Sequence, residues 1–550
     1  MSFTDYPVGD DDTVISPVLD EALKTRSRRP SIASAASIVM AGFVLSRILG
    51  LARVSIQAAV LGGTGPRPTA FNAAITIPDT VFTIVSGGAL ASSFIPVFAG
   101  MLERGDEERA WRVASGVMMS VLAVLLVGVG VAEVLAPSIV SVMTKPSDAP
   151  LTLALTRIML LQPLFLALSA LIAGMYNSYH RFVVPALAPL VYNLANIAGL
   201  LLVPVFHDAV ALATWGVTLG ALLQVVVMAP GLHLTKRLKA SWGALGEAGT
   251  REVGKLMVPR IIGQAGIQLT FVVTIALANR SFVDDPSPVL RYAGNLVALP
   301  IGIFGSALAT AAFPTMTGQA ARGELSDLGE TVSRTLRSIL FLALPSAVAL
   351  LVLRYPIIAV LYGHYKFSAH DVDLTASTLV LYALGIPALA AVEFLPRAFF
   401  ALKDTWTPVL VNLVTLGAAV VLSVIAVRVA GPHNSLLGVA LLAGVISLTV
   451  LAEVLWLGLV LRRRLTTLGL RELGRSLLRS FVAAEAMGAA LLALLFLWRR
   501  FGPGPGRESL LLLVIAVPLG IAVYGGWSFF FGAPEAQATL ALLRRRLRRR

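Results

Sequence analysis

The chain has 550 residues, 57% of them hydrophobic and 13% charged, with 44 Lys and Arg against 30 Asp and Glu for a formal charge of +14; its mean hydropathy is +0.83. A chain this apolar cannot stay in solution and reads as a polytopic membrane protein. With no cysteine, disulfides, thiolate metal sites and a cysteine nucleophile are excluded. The basic residues gather in short loops and in the run Arg544 to Arg550, which fits membrane topology and not nucleic-acid binding.

Residues 1–32 begin acidic (Asp5, Asp10, Asp11, Asp12), turn basic (Lys24, Arg26, Arg28, Arg29) and contain no apolar core with a cleavage site, so they read as a disordered cytoplasmic tail. Apolar stretches of about 20 residues then predict about fourteen spanning helices. They fall near 33–61, 70–101, 111–142, 150–178, 183–206, 209–234, 253–281, 288–320, 331–363, 371–402, 406–430, 435–462, 476–499 and 508–532. With the amino terminus in the cytoplasm, Arg104, Arg109 and Arg112, then Lys236, Arg237 and Lys239, then Arg462, Arg463 and Arg464 all lie inside, as the positive-inside rule asks. Both termini are therefore expected in the cytoplasm. The last hairpin disagrees, because Arg499, Arg500 and Arg507 would lie outside.

The segment Gly88 to Asp106 aligns without gaps to Ser306 to Glu324, matching Ala89, Leu90, Ala91, Pro96, Gly100, Arg104 and Gly105 to Ala307, Leu308, Ala309, Pro314, Gly318, Arg322 and Gly323. Nearly the same offset pairs Pro137 with Pro356, and Tyr176, His180 and Pro185 with Phe399, Lys403 and Pro408. A duplicated six-helix unit is the expectation. An even helix count starts both copies on the same side, giving the parallel-repeat arrangement of alternating-access transporters, whose substrate site lies between the halves. The expected organisation is a tail at 1–32, lobes at 33–234 and 253–464 joined by a linker at 235–252, two accessory helices in 465–533 and a basic tail at 534–550.

Charges inside apolar helices locate the expected site. Arg47 and Arg53 occupy the first helix, where each costs roughly 2.5 to 3.5 kcal/mol unless it faces a watery cavity or an anion. Six residues separate them, a rise of about 9 Å and a turn of about 600°, so they point about 120° apart; a bend at Gly50 would let both reach one cavity. Guanidinium forks match phosphate oxygens, and the substrate head is expected to be anionic and phosphorylated. Asp79, after Pro78, is expected to pair with one of these arginines or to line their cavity, and Arg260, after Pro259, is the counterpart cation of the second copy. Glu393 and Arg397, one turn apart, are expected to satisfy each other. Arg157, Glu453 and Glu485 are assigned to helix ends or to the appended helices. No nucleotide-binding loop, metal-binding spacing or nucleophile elbow appears, so the chain reads as a transporter and not an enzyme. It needs no bound cofactor, and transport would be driven by an ion gradient such as sodium or protons, by the membrane potential, or by consumption of product.

The stretch from Ser46 to Phe98, with GMYNSYHRFVVPALAP, LPIGIFGSALATAAFPT, YGHYKFSAHD and ALKDTWTP, resembles the MurJ (MviN) lipid II flippases from residue 33 onward. The resemblance implies a fourteen-helix member of the multidrug/oligosaccharidyl-lipid/polysaccharide exporter superfamily, with two six-helix lobes and two extra helices forming a groove for a lipid tail. Its implied substrate is lipid II, an undecaprenyl-pyrophosphate-linked peptidoglycan precursor moved to the outer leaflet, with membrane lipids and the cell-wall synthesis machinery as further partners. By the same resemblance Arg47 and Arg53 are the first-helix arginines of the central cavity. The family's further cavity arginines fall at Phe82 and Asn295, its acidic position after the second arginine at Val54, and its aspartate before Ala-Phe at Thr69. Where some members place a sodium-binding carboxylate, this chain has Gln264 and Gln268. Arg260 and Arg291 are the cations available to replace the missing ones, while Gln264, Gln268, Glu393 and Arg397 are the residues available for a polar cavity or ion coupling. The alternatives are another polyprenyl-linked glycan as substrate, or a scaffold that transports nothing.

Overall fold

The computed structural model describes residues 32–86, 89–179, 181–207, 209–228, 242–465, 468–501 and 508–537. Of the expected tails at 1–32 and 534–550, residues 1–31 and 538–550 lie outside these, as does the linker up to residue 241, while Ile32 and residues 534–537 are helical. Each apolar stretch of the sequence is helical: α1 (Ile32–Leu61), α2a (Pro66–Ser86), α2b (Ala89–Glu103), α3 (Glu107–Met143), α4a (Ala149–Met159), α4b (Gln162–Ser178), α5 (Val183–Leu202) and α6 (Ala211–Met228) come first. The second copy comprises α7 (Ala248–Ser281), α8a (Ser287–Pro300), a π-helical turn (Ile301–Ser306), α8b (Ala307–Ala321), α9a (Leu325–Val352), α9b (Arg354–Leu361), α10a (Ala369–Val392), α10b (Leu395–Ala401), α11 (Trp406–Ala430) and α12 (Ser435–Arg464). Helices α13 (Leu470–Phe501) and α14 (Glu508–Phe530) are appended. Among the described residues, twelve helices from α3 onward are long and apolar enough to cross a membrane. With α1 and α2 ahead of them the count agrees with the fourteen expected.

The repeat survives in local geometry. α2b and α8b each run 15 residues with an internal proline, Pro96 and Pro314, and stop at glycines in the left-handed region, Gly105 (φ 78°) and Gly323 (φ 75°). Both ends are closed by the same backbone bond, Asp106 N to Met101 O at 3.1 Å and Glu324 N to Gln319 O at 3.0 Å. The second anchor repeats too, Arg181 N to Tyr176 O and Asp404 N to Phe399 O, both 2.9 Å.

Packing divides along the same line. In the first half α5 packs on α1 and α6, and α2a on α4a; in the second, α10a packs on α12 and α9a, and α11 on α12. The appended α13 packs on α9a and α14, around a core that includes Phe341, Met487 and Tyr524. α7 belongs to both sides: it packs on α11 but also on α2a, α2b and α3, where Val253 and Met257 join the cluster of Phe94, Phe98 and Trp111.

At the end of the molecule that carries Gly62 the halves are laced together. Asp371, in a capping box with Ser368 at the start of α10a, accepts from Gly63 N at 3.3 Å and from Thr64 Oγ1 at 2.7 Å. Lys366 N donates to Ala59 O at 3.0 Å, Gly65 N to Asp284 O at 3.3 Å and Thr69 Oγ1 to Asp285 O at 2.9 Å. Lys145 forms an ion pair with Asp285 at 2.7 Å, and Ser55 Oγ donates to Leu361 O. A Cβ on Gly63 would fall 2.6 Å from Asp371 Cβ, so only glycine lets the carboxylate sit over this turn.

Candidate substrate-binding site

α1 is unbroken from Ile32 to Leu61, and its two arginines consequently diverge. Arg53 lines a cavity of about 60 Å³ between the halves, with Gln57, Asn196, Arg291 and Asn295 supplying the other polar walls and Phe71, Ile75 and Leu200 the apolar ones. Arg47 does not reach it. It is exposed and lies against the π-helical turn of α8, where a Cβ on Gly302 would be 3.4 Å from its Nη2. The single broad cavity expected for both arginines is therefore not formed, because no bend at Gly50 cancels their angular separation.

Asp79 corrects a second expectation. Its partner is Arg291 of α8a, at 3.0 Å, and neither arginine of α1. The helical phase explains this: Asp79 follows Pro78 on the face of α2a turned toward α8a, which packs on both α1 and α2a. Gln162 Nε2 donates to Asp79 Oδ1 and to Tyr192 OH, both at 3.3 Å, and Arg53 Cζ sits 5.9 Å from the Tyr192 ring centroid, a cation–π contact. Arg53 and Arg291 are thereby presented to one cavity from opposite halves. Arg53 Nε and Arg291 Nη1 are buried there without a hydrogen-bond acceptor. Two unmet guanidinium donors in one enclosed space are suited to anionic oxygens.

Glu393 and Arg397 do not pair with each other. Glu393 accepts from Ser306 Oγ at 3.0 Å and Arg397 Nη1 donates to Thr310 Oγ1 at 2.7 Å. The break between α10a and α10b turns the two side chains onto successive turns of α8, below the Gly302 that Arg47 approaches. Phe82 packs with the Phe94 and Trp111 cluster, while Asn295 lines the cavity. Gln264 and Gln268 are half-buried on α7 and do not line it. The side chain of Arg260 lies outside the described part of the structure. Arg157 pairs with Glu133 at 2.7 Å. Glu453 is not at a helix end in contact with the interface: it is 5% exposed, held between α11 and α12. Tyr192, Gln162, Asn196 and Gln57 were missed from sequence. Their signal was polar residues one turn apart inside apolar helices, Arg53 with Gln57 on α1 and Tyr192 with Asn196 on α5.

A helical membrane protein in two six-helix halves, with a polar, cation-lined cavity between them, is a transporter. The family described as "Lipid II flippase MurJ" matches residues 58–506. Among curated proteins, the "Probable lipid II flippase MurJ" of Rhizobium meliloti (strain 1021) is 30% identical over 544 residues, covering 92% of this chain and 94% of the relative. The "Lipid II flippase MurJ" of Burkholderia cenocepacia is 28% identical over 516 residues, covering 90% and 97%. Among solved structures, "Lipid II flippase MurJ, inward closed conformation" superposes with a TM-score of 0.72 at 22% identity, over 90% of this chain and 98% of that one. An inward-facing multidrug resistance MATE family transporter of the MOP superfamily gives 0.63 at 15% identity, over 76% and 95%. The chain belongs to the MurJ lipid II flippase family.

Proposed function

We propose that this protein translocates lipid II, or a lipid-linked glycan with the same pyrophosphate linkage, from the inner to the outer leaflet of a bacterial cytoplasmic membrane by alternating access. The observation that carries the reading is the shared cavity of Arg53 and Arg291, each with an unmet donor. The pyrophosphate binds there, Asp79 holds Arg291 in place until the anion arrives, and the sugar-peptide head occupies the space that opens as the halves part. Arg47, with Glu393 and Arg397 of α10 bonded to neighbouring turns of α8, faces the route by which the head enters.

The distribution of positive loops supports an orientation with both termini and the Arg104 end in the cytoplasm and the laced Gly62 end outside. The cavity of about 60 Å³ is well under the roughly 300 to 1,000 Å³ of a small-ligand pocket. It corresponds to a state shut toward the outside in which the site is collapsed. The functional units are the lobes 33–234 and 253–464, with 465–533 as a lipid-facing appendage.

Reconstitution into vesicles with labelled lipid II tests this. The wild type is expected to expose head group to the opposite leaflet, and Arg53→Ala and Arg291→Ala to lower that exposure at least about tenfold while remaining folded. Full transport by both variants would remove the pyrophosphate site, and no transport of any polyprenyl-pyrophosphate glycan by the wild type would leave the scaffold reading. Complementation of a bacterium depleted of its own MurJ tests the same point in cells.

A further inference from the structure

Gln162 opens α4b directly after the break in α4, in the run Leu161-Gln162-Pro163, and is 1% exposed. It does not line the cavity. Its Nε2 is shared between Asp79 Oδ1 and Tyr192 OH, each at 3.3 Å, while its Oε1 is buried without a donor. Buried polar atoms are nearly always satisfied, and an amide that leaves one end idle costs more than an apolar side chain of the same shape. Packing alone therefore gives no reason for a glutamine at this position.

Among the described residues Asp79 has two hydrogen-bond partners, Arg291 Nη2 at 3.0 Å and Gln162 Nε2 at 3.3 Å. They reach it from opposite sides of the molecule, since α2a packs both on α8a of the second half and on α4b of its own. With the guanidinium in place the carboxylate is already neutralised, and both contacts of the amide are longer than the usual length of about 2.9 to 3.0 Å. Gln162 is slack in this state.

An anion in the cavity changes that balance. Arg291 Nη1 is buried and unmet, so the anion draws on the same guanidinium that serves Asp79. One cation cannot neutralise both. Asp79 is then an under-compensated carboxylate beside an arriving negative charge, which repels the anion unless another donor holds it. A hydrogen bond to such a carboxylate is about twice as strong as a neutral one, so the amide counts for more after Arg291 turns away than before. Only one end of the amide is engaged, and the terminal torsion of a glutamine is broad, so Nε2 can turn fully onto Asp79 Oδ1.

We propose that Gln162 is a positioning residue for the anionic head group: it receives Asp79 when the pyrophosphate takes Arg291, and thereby sets the affinity of the site. Tyr192 OH holds the other hydrogen of the amide until that exchange. This inference rests on the pyrophosphate reading of the cavity.

Titration of inorganic pyrophosphate onto the full-length protein in lipid nanodiscs, read by calorimetry, tests it. Gln162→Leu is close in volume but has no amide, and is expected to bind about tenfold more weakly than the wild type. Gln162→Leu combined with Asp79→Asn is expected to bind like Asp79→Asn alone, because no carboxylate then needs a receiver. That rescue is also the folding control, since a misfolded protein is not restored by a second change at Asp79. In vesicles the single variant is expected to need about tenfold more labelled lipid II for half-maximal transport while keeping the maximal rate. Equal weakening in the single and double variants would overturn the inference and make Gln162 a packing residue. So would Gln162→Leu binding as tightly as the wild type while Arg291→Ala loses binding, a result that leaves the pyrophosphate site standing. If the wild type binds no pyrophosphate, or Arg291→Ala binds it unchanged, the site itself falls and the inference with it.

Discussion

Replacing Gly63 by alanine perturbs the closure at the Gly62 end with a single methyl group. Gly63 is not in the left-handed region, so the effect is steric and not conformational. The new Cβ would lie 2.6 Å from Asp371 Cβ, 2.7 Å from its Cγ and 2.9 Å from its Oδ1. An ordinary contact needs at least 3.4 Å, so Asp371 must retreat by about 0.8 Å, which takes its 2.7 Å bond from Thr64 to roughly the 3.5 Å at which a hydrogen bond ceases to count. The 3.3 Å bond from Gly63 N is lost outright. Hydrogen bonds to a charged acceptor contribute about 1.5 to 3 kcal/mol each. Discounting for partial replacement by water, the closed state loses on the order of 2 kcal/mol relative to the open one, roughly a thirtyfold change in their ratio. The chain has no cysteine, so spin labels at Pro146→Cys and Tyr365→Cys, both exposed and on opposite halves, report the separation without background. Electron–electron distance measurements are expected to show a longer component in Gly63→Ala that is minor in the parent. An unchanged distribution would refute the claim that Asp371 holds the halves together.

Three further outcomes follow from the same geometry. Arg291→Ala and Asp79→Asn are expected to differ in vesicle transport: the first removes a substrate donor and lowers the rate at least about tenfold, whereas the second frees Arg291 and leaves substrate binding intact, as a binding titration with a soluble pyrophosphate would show. Gly438→Ala would put a Cβ 1.9 Å from Cζ of the buried Phe282; a thermal-unfolding scan should show a loss of about 3 kcal/mol, with partial recovery on adding Phe282→Leu. Asp404 titrates below the usual carboxylate value: burial opposes this, but the Thr407 hydroxyl and N–H and the Arg464 guanidinium outweigh it. Its folded pKa is depressed, so its contribution, no more than about 1 kcal/mol for a pair partly open to water, is present above the unfolded value and lost as pH falls through the folded one. The gap in unfolding temperature between the parent and Asp404→Asn should accordingly close below about pH 4.

Sequence reasoning placed Arg53, Asp79, Arg291 and Asn295 in one region, but did not foresee that Asp79 pairs with Arg291. Charge inside an apolar helix is costly enough to be visible without a structure, which is why Arg47, Arg53 and Asp79 stood out, while Arg291 entered only through the family resemblance. Which cation meets which carboxylate depends on helical phase and on how α8a lies against α2a, and neither is written in a linear pattern. Tyr192 and Gln162 were missed for the same reason: the one-turn spacing of Tyr192 and Asn196 marks a polar face but not its neighbours, and only the fold brings α4b and α5 to Asp79 and Arg53.

What the sequence determined by itself is the class of structure. Hydropathy fixes where the chain crosses the membrane, because an apolar stretch has no other low-energy environment and its backbone must satisfy its own hydrogen bonds as helix. The duplication was legible because the same proline and glycine positions stop α2b and α8b in the same way. Only the tertiary structure decided that Arg47 and Arg53 face different spaces, that Gly63 lies under Asp371, and that Glu453 is enclosed by Asn412 and Thr415. Those facts depend on contacts between helices far apart in the chain, where a rotation of one helix by a third of a turn exchanges lipid for cavity while leaving every local preference unchanged.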